Sequence, residues 1–346
     1  MPTPKSDINF LPIALTMGDP AGMSTEITVL AWKQRASSGI SPFFVLSRQS
    51  LFDQLKQLEG FQIPTVQISS PDEANEAFDQ ALPILELPDA VDILPGQPDP
   101  TAGAMTIQSI SMAVDLVRNG QASCVVTNPI NKHVLYQAGF TFPGHTEYLA
   151  ELAKQWGDQD IRPVMMLVSN QMRTAPLTIH IALADVEKLI SRELISEAAH
   201  IISRDMKKYF GLQSPRISVA GLNPHAGESG AMGKTEIDII EPAIEALKHE
   251  GLNISGPFPA DTLFHAAARK TYDVVIGMYH DQALIPIKTL GFDEGVNTTL
   301  GLPFVRTSPD HGTAYDIAGK GLANPQSLIE ALKLAKKMSD QSLVQS

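Results

Sequence analysis

The chain has 346 residues, 43% of them hydrophobic, which is enough apolar material for two domain cores. Its formal net charge of −12 argues against a general nucleic-acid binder or a protein that binds anionic membrane surfaces. The single cysteine, Cys124, excludes an intrachain disulfide and a thiolate metal cluster, and its apolar surroundings favour an inert core residue.

The N-terminal segment MPTPKSDINF contains no apolar signal core, and no later run approaches the roughly 20 apolar residues of a membrane span. We therefore expect a cytoplasmic protein. A buried strand over 11–16 leads into a Gly- and Pro-rich turn over 17–23, after which Ser24 or Thr25 can cap a helix. This order is typical of a phosphate-binding βα unit. The turn has neither GxGxxG nor a P-loop lysine, however, so a simple tight turn is equally compatible.

The rest of the N-terminal half predicts alternating strands and helices. Apolar residues between 101 and 119 recur with helical spacing, and the run over 122–127 predicts a buried strand that ends in a polar cluster. The Pro- and Asp-rich stretch over 70–100 favours edge strands and loops. The other predicted elements are strands over 42–46 and 65–68 and a helix from 49 to about 58.

From residue 164 onwards the chain predicts further strands and helices, and its C-terminal third alternates them, which is the pattern of an α/β fold with a mainly parallel sheet. The predicted elements are paired strands over 164–168 and 175–183, strands over 216–222 and 274–278, and helices over 186–210 and 237–250.

A further helix is predicted to begin near His145, directly after Pro143 and Gly144. Its N-terminus would offer free backbone N–H groups and the positive end of the helix dipole, which suit an anion. The alternative is that Thr146 is a plain N-cap and His145 a surface residue.

Three histidines follow or lie near the ends of predicted strands, namely His180, His225 and His280. Successive members are separated by about one strand–helix unit, so neighbouring strands could bring all three to one point. Three imidazoles suit zinc or a similar divalent ion, with a position left for substrate or water. The spacing alone also allows one of them to be a core residue and another a surface residue.

More polar residues surround the last of these strand ends. Lys288, Asn297 and Arg306 supply one ammonium, one amide and one guanidinium, which together suit an anionic ligand. Asp261 and Asp281 are candidates for the base that takes up a proton, and equally for partners that orient the histidines.

Six motifs are specific in combination: TMGDPAG at 16–22, GHTE at 144–147, GLNPHAGE at 221–228, PADT at 259–262, MYHDQ at 278–282 and GLPFVRTS at 301–308. Together they resemble the 4-hydroxythreonine-4-phosphate dehydrogenase family of pyridoxal phosphate biosynthesis, and the resemblance runs nearly end to end. It implies that a divalent metal ion (zinc, magnesium or cobalt) is bound at a dimer interface by His180, His225 and His280. It also implies that the phosphorylated substrate is bound by His145, Thr146, Lys288, Asn297 and Arg306.

The segment DHGTAYDIAGKGLANP at 310–325 resembles the adenosine loop of the isopropylmalate and isocitrate dehydrogenases. That resemblance implies two α/β/α domains around a cleft and a nicotinamide cofactor held by His311, Asp316, Ile317 and Asn324. A carboxylate facing the ribose would repel a 2′-phosphate, which favours NAD over NADP. A turn-rich surface loop is the alternative. The chain departs from those relatives at the metal, where they use Asp and it has His.

The resemblances imply a homodimeric oxidoreductase whose first α/β domain is 1–145 plus 307–346, with the cofactor loop. The second α/β domain is 146–306, with the metal ligands and dimer contacts. The implied reaction is NAD-dependent oxidation of 4-phosphooxy-L-threonine at C3 to 2-amino-3-oxo-4-phosphooxybutanoate, which decarboxylates to 3-amino-2-oxopropyl phosphate.

Two alternatives to this function remain open. A dehydrogenase of D-threonate or D-erythronate 4-phosphate fits the same residues, because nothing in the sequence distinguishes an amino group from a hydroxyl at C2. A non-enzymatic phosphometabolite-binding protein would need the anion site, but neither three histidines nor an NAD loop.

Overall fold

The computed structural model describes residues 11–88, 91–157, 160–292 and 294–345, which form two compact units. The first unit comprises the described part of Met1–Gly144 together with His311–Lys336. The second comprises His145–Asp310 together with the chain from Lys337 onwards. The sequence predicts the whole C-terminal tail in the first domain, whereas its last part belongs to the second unit.

The first unit is built on a parallel sheet. Its strands are β1 (Ile13–Thr16), β2 (Phe43–Ser47), β3 (Thr65–Ile68), β4 (Leu82–Glu86) and β5 (Val125–Val126), in the order β3-β4-β2-β1-β5. Its helices are α1 (Ser24–Lys33), α2 (Arg35–Ser38), α3 (Gln49–Leu55), α4 (Glu73–Ala77), α5 (Thr101–Arg118) and α6 (Lys132–Gln137). Every residue of β1 and β2 is buried, so both faces of the sheet are covered there, as parallel sheets require.

The second unit contains the remaining strands. They are β6 (Val164–Val168), β7 (Arg173–Pro176), β8 (Ile217–Ala220), β9 (Ile254–Phe258), β10 (Val274–Gly277), β11 (Val296–Leu300) and β12 (Arg306–Pro309), in the order β12-β11-β6-β7-β10-β8-β9. Its helices are α7 (His145–Ala153), α8 (Leu183–Leu189), α9 (Arg192–Phe210), α10 (Glu241–His249), α11 (Ala260–Leu263) and α12 (His280–Leu290). A π-helix, Glu236–Ile240, precedes α10, and 3₁₀ turns occupy Lys154–Trp156, Pro224–Gly230 and Ala268–Lys270. The chain ends in α13 (Gln326–Gln345), within which the boundary of the units falls.

Only one half of the second sheet is parallel. The strands β7, β10, β8 and β9 pair in parallel, whereas β6 is antiparallel to β7 and β11, and β11 is antiparallel to β12. The connection between β6 and β7 is a short turn, and a parallel pair would need a crossover of about a dozen residues. The α/β class is confirmed. Most strand pairs of the described chain are parallel, and the antiparallel pairs are confined to β6, β7, β11 and β12.

Two predicted elements have different limits in the structure. The strand predicted over 175–183 ends at Pro176, and the chain beyond it turns through His180, whose φ is 51°. The helix predicted over 186–210 is two helices, because the backbone is extended at Ile190 and Ser191. The Ser191 hydroxyl then caps α9 by accepting a hydrogen bond from Leu194 N at 3.1 Å.

The stretch over 70–100 differs most from its prediction. It supplies α4 and β4, and β4 lies between β3 and β2 rather than at an edge. Pro83 has no N–H to donate to a ladder, and a proline normally argues against an inner strand, which explains the wrong prediction. The helix predicted over 101–119 is confirmed as α5, and Cys124 is buried as expected. Among the described residues, no helix has both the length and the apolar character needed to cross a bilayer.

Apolar packing fixes α12 against the second sheet. The cluster that does so consists of Leu167, Met172, Ala283, Leu284 and Ile287. The three α12 residues are spaced as one face of a helix, so the opposite face is left for polar residues. This packing fixes His280 at the end of β10 and Lys288 in the last turn of the helix.

Candidate active site

The three predicted metal-binding histidines follow three neighbouring strands of the second unit. β10 lies between β7 and β8 and is parallel to both. Gly277, the last residue of β10, is opposite Pro176, the last residue of β7, and β8 continues the same register on the other side. The strand ends are therefore level, and a few residues beyond them come His180, His280 and His225.

Two of these histidines are in contact. The ring centroids of His180 and His280 are 5.6 Å apart. His180 has a φ of 51°, in the left-handed region, which costs a non-glycine residue about 1–2 kcal/mol. Such a conformation persists only where the surroundings impose it, and it is typical of functional sites.

His225 begins an unusual turn after β8. Five consecutive residues, from His225 to Ser229, have positive φ, between 39° and 77°, so this segment is a short left-handed helical turn. Within one chain, no group of three or more His, Cys, Asp or Glu side chains is arranged to hold a metal among the residues that the structure describes. The structure thus brings two of the three histidines together, and the role of His225 as a third ligand stays a prediction.

The His280 ring is oriented by its neighbour in sequence. Its Nδ1 lies 2.7 Å from Asp281 Oδ1, so the proton of the neutral ring is held on Nδ1. A carboxylate that accepts from one ring nitrogen leaves Nε2 as the lone-pair donor, which is the usual arrangement of metal-bound histidines. Asp261, the other candidate base, is exposed in the first turn of α11. The geometry therefore favours an orienting role for Asp281.

Gln282 joins the chain segments that carry two of the histidines. Its Oε1 accepts from Met278 N at 2.6 Å, just before His280, and its Nε2 donates to Gly221 O at 2.8 Å, just before the His225 turn. The side chain is 8% exposed, so both hydrogen bonds are shielded from water. These two hydrogen bonds of Gln282 fix the end of β10 relative to the end of β8.

Replacement of Asp281 by Asn tests the orienting role. The amide can still accept from His280 Nδ1–H, but it removes the negative charge that makes the imidazole a stronger ligand. We expect affinity for Co²⁺ to fall about 10- to 100-fold, with activity restored at saturating metal. Asp261→Asn is the matched control and should leave the affinity unchanged. If Asp281 is instead the base, activity will stay low at every metal concentration.

A polar face of the antiparallel half of the sheet carries two predicted substrate ligands. In the pairing of β11 and β12, Asn297 is opposite Ser308, and the same register sets Thr299 opposite Arg306. Because opposite residues and alternate residues share a face, all four side chains lie on one face of the sheet. The Asn297 Oδ1 atom is buried there with no hydrogen-bond partner among the described residues. This face therefore presents both donors and a free acceptor.

Arg306 is the deepest charge on that face. Its side chain is 3% exposed, and its Nη1 donates to Thr299 Oγ1 at 3.0 Å. Burial lowers the pKa of the guanidinium to about 10, because the charged form loses hydration. The group is still protonated at neutral pH. A buried cation of this kind is stabilised by an anionic ligand that can accept several hydrogen bonds.

Lys288 has a partner that the sequence did not reveal. Its Nζ lies 2.9 Å from Asp310 Oδ2, and the ammonium also lies 5.7 Å from the centroid of the Phe292 ring. Asp310 follows β12 directly, so the pair ties the end of α12 to that strand. The two residues are distant in sequence, and no local pattern links them. Lys288 is thus held in place by a carboxylate before any ligand binds.

His145 and Thr146 are the first two residues of α7, as predicted. Both are half-buried at the helix N-terminus, where the dipole is positive. All five predicted substrate ligands and all three histidines therefore lie in the second unit.

The predicted cofactor loop, from His311 onwards, belongs to the first unit and is anchored on the turn after β1. The Asp19 carboxylate accepts hydrogen bonds from the Tyr315 hydroxyl and from Ala21 N, the latter at 2.9 Å. Met23 N donates to Thr313 O at 2.9 Å. Burial raises the pKa of Asp19, and the Tyr315 hydrogen bond opposes that shift. The Gly- and Pro-rich turn therefore supports this loop.

A second buried carboxylate holds the far end of the same loop. Glu26, in the first turn of α1, accepts from Gly321 N at 3.0 Å and is 1% exposed. Of the predicted cofactor ligands, Asp316 is exposed, and Ile317 is half-buried. Asn324 Oδ1 accepts from Gln326 N at 3.0 Å, so this side chain also caps α13. His311 Nδ1 lies 3.1 Å from Gly312 O.

Comparison with known proteins gives one consistent result. A family model described as "Pyridoxal phosphate biosynthetic protein PdxA" matches residues 39–335. The chain is 52% identical over 330 residues to a 4-hydroxythreonine-4-phosphate dehydrogenase of Methylorubrum populi, covering 95% of this chain and 94% of that relative.

The solved structures agree with the sequence comparison. The fold is similar to the crystal structure of 4-hydroxythreonine-4-phosphate dehydrogenase from Klebsiella pneumoniae, with a TM-score of 0.85, 36% identity, and 95% and 98% of the two chains covered. The enzyme of the same name from Burkholderia phymatum gives a TM-score of 0.81 at 37% identity, with 95% and 98% covered. The similarity therefore extends over both units.

Proposed function

The chain belongs to the PdxA family of pyridoxal phosphate biosynthetic proteins, and we propose that it oxidises 4-phosphooxy-L-threonine at C3 with NAD as the hydride acceptor. Oxidation removes a hydride from C3 and a proton from its hydroxyl group. The resulting β-keto acid, 2-amino-3-oxo-4-phosphooxybutanoate, loses CO₂ as the C1–C2 electron pair moves toward the C3 carbonyl. Protonation at C2 then gives 3-amino-2-oxopropyl phosphate.

The observation that carries this proposal is the buried Arg306 on a polar sheet face of the second unit. A phosphate ester supplies the negative charge that offsets this buried guanidinium, and it accepts its hydrogen bonds. Lys288, Asn297 and the N-terminus of α7 are the other groups that we assign to the phosphate and polar atoms of the substrate.

The residues at the strand ends suit a divalent cation. The level ends of β7, β10 and β8, the adjacent rings of His180 and His280, and the Asp281 contact that frees His280 Nε2 all support a metal site. Zinc, magnesium or cobalt there would stabilise negative charge on the C3 oxygen during oxidation and decarboxylation. The role of the protein is to hold the imidazoles in place and in the correct tautomer.

We assign the cofactor to the loop 310–325 of the first unit. The exposed carboxylate of Asp316 suits ribose hydroxyls and disfavours a 2′-phosphate, so NAD is preferred over NADP. Asp19 accepts a hydrogen bond from Tyr315 and Glu26 accepts one from Gly321, and these two contacts hold the loop backbone in one conformation for a ligand. A preorganised loop binds with less loss of conformational entropy.

We further assign a homodimer with the active site at its interface. Exposed apolar residues flank two of the histidines: Ile181 and Leu183 follow His180, and Met232 is 44% exposed beyond the His225 turn. A second copy of the chain would cover such residues and could complete the metal site. Light scattering during size exclusion should give twice the monomer mass of 37.4 kDa. A monomer at micromolar concentration would contradict this assignment.

A spectrophotometric assay tests the reaction. Purified protein with Co²⁺, NAD and 4-phosphooxy-L-threonine should produce NADH and CO₂ in equal amounts, and NADP should be a much poorer acceptor. D-Threonate 4-phosphate and D-erythronate 4-phosphate, which carry a hydroxyl at C2, are the matched alternative substrates. Higher kcat/KM with either of them would overturn the choice of substrate. The absence of NADH with all three would overturn the dehydrogenase itself.

A further inference from the structure

The left-handed turn that carries His225 requires an external support. Four of its five residues, His225, Ala226, Glu228 and Ser229, are not glycine, so each is strained at positive φ. Backbone hydrogen bonds from Ala226 N to Asn223 O and from Met232 N to Gly227 O, both at 3.1 Å, close the turn, but they do not remove the strain at its non-glycine residues. Another part of the chain must therefore impose the conformation.

Glu236 provides contacts that suit this task. It is 0% exposed and begins the π-helix that follows the turn. Its Oε1 accepts from the backbone N of Asn223 at 2.7 Å, and its Oε2 accepts from Asn223 Nδ2 at 3.1 Å. Both oxygens of a single carboxylate thus hold the residue that lies two positions before His225.

The backbone of the turn also packs closely against the Glu236 carboxylate. A Cβ atom at Gly227 would lie 2.6 Å from Glu236 Oε2, and one at Gly233 would lie 2.5 Å from Asn223 Nδ2. Only glycine avoids these overlaps, so the backbone approaches the Glu236–Asn223 pair closely on two sides. The start of the π-helix is itself anchored, because Thr235 Oγ1 donates to Glu187 Oε1 at 2.7 Å.

We propose that Glu236 is a positioning residue for the metal site: it fixes the left-handed turn so that His225 is presented beside the strand end that carries His280. This inference rests on the metal site of the proposed function. Glu236 does not touch the metal or the substrate in this role. It acts through Asn223 on one side of the turn, while Gln282 holds Gly221 on the same segment.

The two hydrogen bonds from Asn223 favour a carboxylate over an amide at position 236. Both groups that face Glu236 are N–H donors, and only an ionised carboxylate accepts at two oxygens. A glutamine has the same size but must turn its NH₂ group toward one of the donors. The Asn223 amide would then have to rotate so that its Oδ1 faces this NH₂ group, and the hydrogen bond from Asn223 N would become a weaker one to a neutral amide.

The decisive variant is Glu236→Gln, with Glu241→Gln as its matched control. Glu241 is five positions along the same helical segment and is exposed. Titration of each metal-free protein with Co²⁺, followed by visible absorption, should give about 10- to 100-fold weaker binding for Glu236→Gln and wild-type binding for the control. Saturating Co²⁺ should restore kcat without changing KM for the substrate, which loss of overall structure would not allow.

Hydrogen exchange of the metal-free protein provides a second readout that does not depend on activity. Amides of residues 221–236 should exchange faster in Glu236→Gln than in wild type, and the rest of the second unit should be unchanged. If Glu236→Gln does not fold, Asn223→Ser replaces the side-chain amide by a shorter hydroxyl. It loses the contact with Glu236 Oε2 but keeps the backbone contact with Oε1, and should show the same two effects at smaller size.

Each outcome separates the two levels of the proposal. Wild-type Co²⁺ affinity and wild-type exchange in Glu236→Gln would overturn the positioning role and leave the proposed metal site intact. Faster exchange with unchanged Co²⁺ affinity would also overturn it, because the turn would then not govern the metal. Failure of the wild-type protein to bind Co²⁺ would overturn the metal site itself, and the positioning role with it.

Discussion

Replacement of Arg306 by Met should lower kcat/KM for the phosphorylated substrate about 1,000-fold while leaving the fold intact. Loss of a buried charge-assisted contact of this kind costs about 2–5 kcal/mol of binding. Methionine fills a similar volume without a charge. The effect should fall mostly on KM, because the phosphate is bound similarly in the ground state and the transition state.

The free energy of unfolding of Arg306→Met should change much less than its kcat/KM. Burial lowers the pKa of Arg306 to about 10 from an ordinary value of 12.5, so the folded state disfavours the charged form. The cost is fully present below the lowered pKa, including neutral pH, and is relieved as the pH rises through it. Removing the charge relieves this cost but also loses the hydrogen bond to Thr299 Oγ1, so the free energy of unfolding should change by no more than about 1–3 kcal/mol at pH 7.

Two controls complete the Arg306 experiment. Arg306→Lys keeps the charge but loses the planar fork, so its kcat/KM should lie between those of wild type and Arg306→Met. Arg192→Met removes an exposed arginine of α9 and should change neither kcat/KM nor the free energy of unfolding by much. Inorganic phosphate should inhibit wild type competitively and have no effect on Arg306→Met. An unchanged KM in Arg306→Met would contradict the assigned phosphate site.

The sequence supplied candidate site residues, but not the contacts that hold them in place. Each of His180, His225 and His280 lies in or just after an apolar run, and such a run is the sequence signal of a buried strand. The order of the strands, with β10 between β7 and β8, is set by long-range pairing and could not be obtained from spacing alone. The structure supplied that order, and with it a reason for the histidines to be near one another.

The supporting residues were missed for physical reasons. Asp310 and Glu236 are ordinary acidic residues in sequence, and their partners are found only when the chain is folded. The positive φ of His180 was hidden because Ile179 and Ile181 continue the apolar run and favour a strand on propensity. Glycines are the one local signal: Gly227 and Gly233 in GESGAMG indicate backbone that needs special conformations, although they do not reveal which side chain supports the turn.

Replacement of His225 by Ala is the sharpest test of the third metal ligand, because the described part of a single chain does not bring this residue into a three-ligand group. If His225 is a ligand, kcat should fall at least about 1,000-fold, since a cation worth several kcal/mol of charge stabilisation is lost. Co²⁺ content should fall with it, from one per chain toward none at concentrations that saturate wild type.

The strained backbone at His225 allows loss of the ligand to be separated from any change in stability. At a φ of 52°, alanine keeps the strain of histidine, whereas glycine relieves it by about 1 kcal/mol. His225→Gly should therefore unfold at a higher temperature than His225→Ala in the metal-free state, although both have lost metal and activity. His249→Ala, which changes an exposed histidine in the last turn of α10, is the matched control for imidazole removal and should behave as wild type. A His225→Ala protein that is fully metal-loaded and active would show that two imidazoles suffice, and that the left-handed turn serves another purpose.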